Sequence, residues 1–296
     1  MNDRAQSERL RRLPPQAFFL VSAVFHYLGP SFAVLLFARV DVLGVAWLRI
    51  VSAAAVFALW RRPWRLALRL DRSGRWVLLQ LGAVLAAMNT LFYLAVDRLP
   101  LSTVGAIEFL GTVLLAAIGT RTRRNAVALA LTTCGVATIT DVRLTGQPLG
   151  FLFAFGNCAL FLLYVILGHR IANAGAEGQR GGGIDRLGAS MLVAAVVITP
   201  IGLHGALRTL SDPLLLLAGA GVGVCSSVIP YVADQLAMAR LPRATFALML
   251  SLLPMFATLI GAFVLRQIPT PQDLAGIALV IAGVALHQTE AEPRVG

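Results

Sequence analysis

The sequence Tyr-Leu-Ala-Val-Asp-Arg-Leu-Pro at positions 93–100 is echoed by Gln-Leu-Ala-Met-Ala-Arg-Leu-Pro at positions 235–242. Both copies contain the pattern Leu-Ala-x-x-Arg-Leu-Pro, and their final prolines, Pro100 and Pro242, are 142 positions apart in a chain of 296 residues. Self-similarity at a fixed spacing indicates a repeated structural unit. Because this spacing is close to half the chain length, it predicts a fold made of two related halves.

The composition around these two copies excludes a water-soluble protein. Apolar residues make up 58% of the chain and charged residues 13%, with a mean hydropathy of +0.79, whereas soluble domains have about 45–50% and about 25%. The net charge of +11 comes from arginines that lie in short clusters between apolar segments. This distribution is typical of a membrane protein and not of a nucleic-acid-binding surface.

The length of the apolar segments predicts an all-α polytopic membrane protein. A helix needs about 20 mostly apolar residues to cross a membrane, and the alternating pattern of a membrane β-barrel is absent from the sequence. We predict ten transmembrane helices, at 17–38, 42–60, 76–96, 100–119, 125–140, 149–169, 187–205, 213–239, 242–265 and 270–288.

The arginines predict the orientation of these helices. With the N-terminus in the cytoplasm, 19 arginines fall in cytoplasmic segments and 5 in external ones, as the positive-inside rule requires. We therefore predict that both termini are cytoplasmic. The predicted units are an N-terminal segment (1–16), a first five-helix repeat (17–141), a second five-helix repeat (149–288) and a tail (289–296). An odd number of helices per repeat makes the two copies inverted, an arrangement that places binding sites near the membrane midplane.

Three polar residues are predicted at similar depths in the membrane. Arg49, Asn89 and Glu108 each lie seven or eight positions from the outer end of their segments, which is roughly 10–12 Å at 1.5 Å per residue. A charge at such a depth is energetically costly and needs a function or a partner. The residues therefore line a polar cavity, or else Arg49 and Glu108 form a structural ion pair that fixes helix packing.

Other polar residues are candidates for proton coupling and hydrogen bonding. Since no Walker motif is present, uphill transport would use an ion or substrate gradient, and Glu108, Asp234 and His26 are the proton-coupling candidates. The alternatives are an Asp234 at the inner rim and a neutral His26 that hydrogen-bonds across helices. Tyr164 and Tyr231, with Asn157, are hydrogen-bonding candidates for a pocket.

Prolines within the apolar segments predict local helix breaks. They are Pro30, which follows Gly29, together with Pro230 and Pro254. A proline removes one backbone donor and frees carbonyls that can face a cavity, although ordinary packing kinks have the same signature. No catalytic, metal-binding or cofactor motif is present, and the cysteines form no ligand pattern. We therefore expect no enzyme activity, no metal and no cofactor.

Several stretches carry a resemblance to a known family. They are Met88-Asn89-x-Leu-Phe-Tyr-Leu-Ala, Ala106-Ile-Glu108-Phe-x-Gly111, Ile229-Pro230-Tyr231-x-x-Asp234 and Arg240-Leu-Pro242-x-x-Thr245-Phe246. In these stretches the chain resembles the EamA family of the drug/metabolite transporter superfamily, and most of all its bacterial threonine/homoserine exporters. The resemblance implies an inverted-repeat bundle whose central substrate site is formed by Arg49, Asn89, Glu108, Tyr164 and Tyr231. It departs from the family at Leu253, where a glutamate often precedes the proline.

These observations predict a multi-pass secondary transporter of the bacterial inner membrane that exports small metabolites by alternating access. Amino acids such as threonine or homoserine are the expected substrates, with Arg49 facing the carboxylate and Glu108 facing the ammonium group or a proton. Two alternatives are efflux of cationic or aromatic drug-like compounds, and a lipid flippase or non-transporting scaffold. The expected partners are a small-molecule substrate and membrane lipids, with no nucleic acid, and a homo-oligomer is compatible with the sequence.

Overall fold

The computed structural model describes residues 14–99, 101, 104, 105, 107, 108, 122–139, 147–173, 182–250, 252–264, 266 and 270–286. All regular secondary structure in these ranges is helical. The described helices of eight or more residues are α1 (Pro15–Leu36), α2 (Val42–Arg61), α3 (Arg72–Val96), α4 (Arg123–Ile139), α5 (Pro148–Asn173), α6 (Gly183–Ala206), α7 (Pro213–Met238), α8 (Arg243–Leu250), α9 (Leu253–Val264) and α10 (Pro271–Leu286), and two shorter ones are Trp64–Ala67 and Thr209–Ser211. Residues 1–13 of the predicted N-terminal segment, the predicted tail (289–296) and most of the predicted segment 100–119 lie outside the described residues.

Six helices within the described ranges are long and apolar enough to cross a membrane, namely α1, α2, α3, α5, α6 and α7. Each has 20–26 residues, and the mean hydropathy of its most apolar 18-residue window is 1.8–2.2. Two shorter apolar helical stretches, Met255–Val264 and Leu274–Gly283, lie in α9 and α10. The prediction of an all-helical, multi-pass membrane protein is therefore confirmed.

Acidic residues begin several of these helices. Asp41 Oδ1 accepts a hydrogen bond from Leu43 N (2.9 Å), and Asp71 Oδ1 accepts one from Gly74 N (2.9 Å). Such N-caps satisfy amide groups that have no partner in the first turn of a helix. The short polar loops in the sequence therefore have a structural role, since they supply the caps where α2 and α3 begin.

The described helices pack in pairs that bring distant parts of the chain together. Helix α2 packs along α6, α3 lies against α5 and α6, α1 lies against α7, and α4 packs along α10. The α2–α6 contact depends on glycine, because a Cβ atom on Gly44 would lie 2.5 Å from the carbonyl carbon of Gly205. Small residues of this kind let membrane helices approach closely.

Helix α7 changes its hydrogen-bonding pattern near its middle. An α-helical portion, Pro213–Gly223, is followed by a π-helical turn, Val224–Val228, and then by a second α-helical portion, Ile229–Met238. The turn lies against α1 and α2, and a Cβ atom on Gly29 would be 2.7 Å from Ser226 Cα. Irregular turns of this type occur often at functional sites because they redirect backbone groups.

The other predicted breaks lie in different settings. Gly29 and Pro30 are both within α1, which continues to Leu36. The predicted single segment 242–265 is divided between α8 and α9, and Pro254 is the second residue of α9. A proline has no N–H to donate to the preceding turn, which is why prolines are tolerated at helix starts.

Candidate functional site

A small polar cavity lies at the centre of the helical bundle. It is lined by His26, Pro30, Arg49, Met88, Asn89, Phe92, Glu108, Asn157 and Tyr231. Its volume of about 10 Å³ is room for roughly one water molecule. Four of the five predicted substrate-binding residues therefore share one site, and the fifth, Tyr164, is not part of its lining.

Arg49 enters the cavity from α2 and is held by the π-helical turn. Its Nε donates to Ser227 Oγ (2.9 Å), and its Nη2 donates to the backbone oxygen of Ser226 (2.6 Å). The guanidinium also lies over the ring of Tyr93, 5.4 Å from the centroid, which is a favourable cation–π distance. A buried charge is thus compensated by dipoles and a ring face.

Arg49 and Glu108 do not form the ion pair that the sequence allowed. In the described part of the chain, nitrogen–oxygen distances within 4.0 Å join Arg61 to Asp185 and Arg98 to Asp97, and no such distance involves Arg49. The buried cation and the buried carboxyl group therefore line one cavity without contacting each other. Both charges therefore face the same small cavity, which in this state has room for about one water molecule between its walls.

Glu108 and Asn157 each bring to the cavity lining one buried acceptor atom without a partner among the described residues. Asn157 Nδ2 donates to Glu108 Oε1 (3.3 Å). Glu108 Oε2 and Asn157 Oδ1 are buried and accept no hydrogen bond from any described residue. An unpaired buried polar atom costs about 1–3 kcal/mol, so such atoms are rare and call for an explanation. A ligand group with several N–H donors would satisfy both atoms.

Asn89 and Tyr231 extend the hydrogen bonds of Arg49 to two further helices. Asn89 Nδ2 donates to the backbone oxygen of Leu85 (2.7 Å) and to the Tyr231 hydroxyl (3.1 Å). The same hydroxyl accepts from Arg49 Nη2 at 3.5 Å. Helices α2, α3 and α7 are therefore joined by one hydrogen-bonding network beside the cavity.

Asp234 forms a second polar layer beside the cavity. It accepts from Ser22 Oγ of α1 (2.5 Å) and from the Tyr164 hydroxyl of α5 (2.8 Å). The rings of Tyr164 and Tyr231 lie 5.3 Å apart. Tyr164 thus bonds to the second buried carboxyl group and packs against a tyrosine of the cavity, and Asp234 is buried instead of lying at an exposed rim.

His26 lines the cavity from α1. Its ring packs edge-on against Phe161 and Tyr27, with centroid distances of 5.8 and 5.9 Å. The hydrogen bonds among the described residues include none from the His26 ring, in contrast to the alternative of a histidine bonded across helices. Among the prolines, Pro30 borders the cavity and Pro230 follows the π-helical turn.

Sequence reasoning did not single out the two serines that hold Arg49. Ser226 and Ser227 lie in an apolar stretch, and short hydroxyl side chains are common in membrane helices. The sequence signal for an irregular turn here is the stretch Cys-Ser-Ser at 225–227, shortly before Pro230. Polar groups before a proline often accompany such a turn.

Comparison with known proteins shows which family this chain resembles. Residues 148–288 match the model of the EamA-like transporter family. The threonine/homoserine exporter RhtA of Escherichia coli (strain K12) is 31% identical over 283 residues, which are 92% of each chain. RhtA of Salmonella typhimurium (strain LT2) is 30% identical over 282 residues, covering 92% of this chain and 91% of the relative.

A solved structure with the description "Crystal structure of protein" has the same fold, with a TM-score of 0.65 and 16% identity. The match covers 92% of this chain and 96% of that one. The match of residues 148–288 to the family model and the 30–31% identity to RhtA over 92% of this chain identify the family. The chain therefore belongs to the EamA-like transporter family, and it is a membrane transporter and not an enzyme.

Proposed function

We propose that this protein exports zwitterionic amino acids, threonine and homoserine among them, across the bacterial inner membrane. The substrate class is that printed in the names of the RhtA relatives. The observation that carries the proposal is one cavity lined by Arg49, Glu108 and Asn157, in which Arg49 and Glu108 form no ion pair.

The chemistry of the cavity matches a free amino acid. The carboxylate of the substrate would take the guanidinium of Arg49, and its ammonium group would donate to the unpartnered oxygens of Glu108 and Asn157. Hydrogen bonds between charged groups are the stronger class in proteins. A cationic drug would leave Arg49 without an anion, which favours the zwitterion over the drug-efflux alternative.

We further propose two inverted five-helix repeats, 17–141 and 149–288, with ten helices and both termini in the cytoplasm. The helix contacts support this arrangement. In these repeats α1, α2, α3 and α4 correspond to α5, α6, α7 and α10. Exchanging each helix with its counterpart converts the α3–α5 contact into the α7–α1 contact, and the α3–α6 contact into the α7–α2 contact. The same exchange maps the α2–α6 and α4–α10 contacts onto themselves, as expected for a bundle with a twofold axis in the membrane plane.

Transport in this proposal proceeds by alternating access. The cavity holds about 10 Å³, which is smaller than an amino acid, so the helices must separate on one side before a substrate can bind. The interrupted helix α7, with its π-helical turn and Pro230, is suited to such a change. A substrate that binds the opened state then shifts the population of the protein toward that state.

Proton coupling is the proposed energy source, with Glu108, Asp234 and His26 as candidate carriers. Asp234 accepts hydrogen bonds from α1 and α5 while it lies on α7. A change in its protonation would alter contacts among three helices at once. Glu108 would exchange its proton against the ammonium group of the substrate.

The test is efflux from proteoliposomes that contain the purified protein and either labelled threonine or labelled homoserine. We expect labelled threonine and homoserine to leave these vesicles faster than protein-free vesicles, and an imposed pH gradient to change the rate. The variant Arg49→Gln, at equal protein content, should lose most of the effect. Equal rates for threonine with and without correctly inserted protein would contradict the proposed substrate, and insensitivity to the gradient would contradict the coupling.

A further inference from the structure

We infer that His26 selects substrates that carry a side-chain hydroxyl group. The inference rests on the proposed function, in which Arg49 binds the substrate carboxylate and Glu108 with Asn157 binds its ammonium group. It assigns a partner to the side chain of the substrate, which that proposal leaves without one. A free amino acid has its ammonium and carboxylate groups in common with all other amino acids. Discrimination among them must come from the groups that contact the side chain.

Most polar atoms of the cavity are already used. The Arg49 guanidinium bonds to Ser226 and Ser227, and would meet the substrate carboxylate. Asn89 Nδ2 bonds to Leu85 O and to the Tyr231 hydroxyl. When Glu108 is ionised, its unpartnered oxygen and that of Asn157 are acceptors only, which suits an ammonium group.

The His26 imidazole is the remaining polar group of the lining. Its nitrogens take part in none of the hydrogen bonds among the residues that the structure describes, and Tyr27 and Phe161 hold the ring by edge contacts. A neutral imidazole offers one donor and one acceptor, and a hydroxyl group offers the same pair. The two groups are therefore complementary whichever ring nitrogen carries the proton.

The rest of the lining is apolar, formed by Pro30, Met88 and Phe92. Such walls accept a methyl or methylene group but provide no partner for a hydroxyl. A threonine side chain would place its methyl group toward these walls and its hydroxyl toward His26. Valine, which has the same shape without the hydroxyl, would leave the imidazole without a partner in the substrate, and this is the condition under which a site rejects an isostere.

The test compares threonine and valine as competitors of labelled homoserine in counterflow with proteoliposomes. For the wild type we expect half-inhibition to need about tenfold more valine than threonine, as for one hydrogen bond. The variant His26→Phe keeps a ring against Phe161 and should bring the ratio close to one. His26→Gln retains a donor and an acceptor and should keep a preference of several-fold.

The matched control is His169→Leu. His169 is a buried histidine of α5 that is not part of the cavity lining, so its loss should leave the threonine–valine ratio at the wild-type value. His26→Leu is a second replacement, and it decides the question if the phenylalanine variant does not insert.

The outcomes separate this inference from the proposed function. Counterflow of homoserine by the wild type without a preference for threonine over valine would overturn the role of His26 and leave amino-acid export standing. An unchanged preference in His26→Phe or His26→Leu would also overturn it. Absence of homoserine counterflow in the wild type would overturn the proposed function itself.

Discussion

The carboxyl group of Glu108 provides the sharpest test of the cavity, through the variant Glu108→Gln. Glutamine has nearly the same shape, and its Oε1 can still accept from Asn157 Nδ2, which lies 3.3 Å from Glu108 Oε1. The change falls on the second oxygen, Oε2, which is buried and has no partner among the described residues. An amide NH2 group in its place is a donor and would face the ammonium group of the substrate.

The expected loss follows from the kind of interaction removed. A hydrogen bond to a charged group contributes about 1.5–3 kcal/mol, which is about a 10- to 150-fold change in affinity. Two donors facing each other without an acceptor favour the upper end of this range. Arg49 keeps its own partners, Ser226 and Ser227, so recognition of the carboxylate should persist.

The assay measures efflux of labelled threonine from proteoliposomes at several internal concentrations, with equal amounts of inserted protein. We expect Glu108→Gln to require about 10- to 150-fold more substrate for the same rate. The matched control is Asp97→Asn, which makes the same chemical change at an exposed carboxylate that pairs with its neighbour Arg98 at 3.2 Å. This variant should transport as the wild type does.

The reasoning is refuted if Glu108→Gln transports threonine with an unchanged concentration dependence. Glu108 would then have a structural role, and neither the ammonium site nor a proton carrier could be assigned to it. An equal loss in Asp97→Asn would also count against the argument, since it would show a general sensitivity to the loss of carboxylates.

The remaining predictions concern stability and packing. Tyr164→Phe removes the 2.8 Å bond to Asp234 and should destabilise the protein by about 1.5–3 kcal/mol. We expect a lower melting temperature in detergent with less than about a twofold change in threonine affinity, whereas a large affinity loss would place Tyr164 in the site. Gly44→Ala brings a Cβ to 2.5 Å from Gly205 and should destabilise the α2–α6 contact by about 1–3 kcal/mol. Gly221→Ala, with nothing within 4 Å of the added Cβ, is the neutral control in the same melting assay.

The sequence was sufficient to predict the class of fold and most of the cavity lining. A membrane imposes a nearly fixed length on each apolar helix, so depth can be counted along the chain. Counting placed Arg49, Asn89 and Glu108 at similar depths, and the structure has all three on one cavity. Depth alone could not decide whether two opposite charges touch, because that depends on the rotation of each helix about its axis.

Contacts between distant helices were beyond the reach of the sequence. Ser22 and Asp234 are 212 positions apart and bond directly, and no local pattern specifies that pairing. Pro230 predicted a local break in this helix, but not the π-helical turn at Val224–Val228 or its contact with Arg49. Tertiary packing selects the irregular turn, since the turn lies against both α1 and α2.

Arg49 and the Glu108–Asn157 pair differ in how many of their hydrogen-bonding groups have protein partners when no substrate is present. Arg49 has serine and backbone partners within 2.9 Å, so the cation is stable in the closed cavity. By contrast, Glu108 Oε2 and Asn157 Oδ1 lack partners among the described residues, and a buried acceptor without a donor raises the free energy of that state. A substrate ammonium group would relieve this penalty, while the substrate carboxylate must compete with partners that Arg49 already has. The amino group should therefore contribute more to net affinity than the carboxylate.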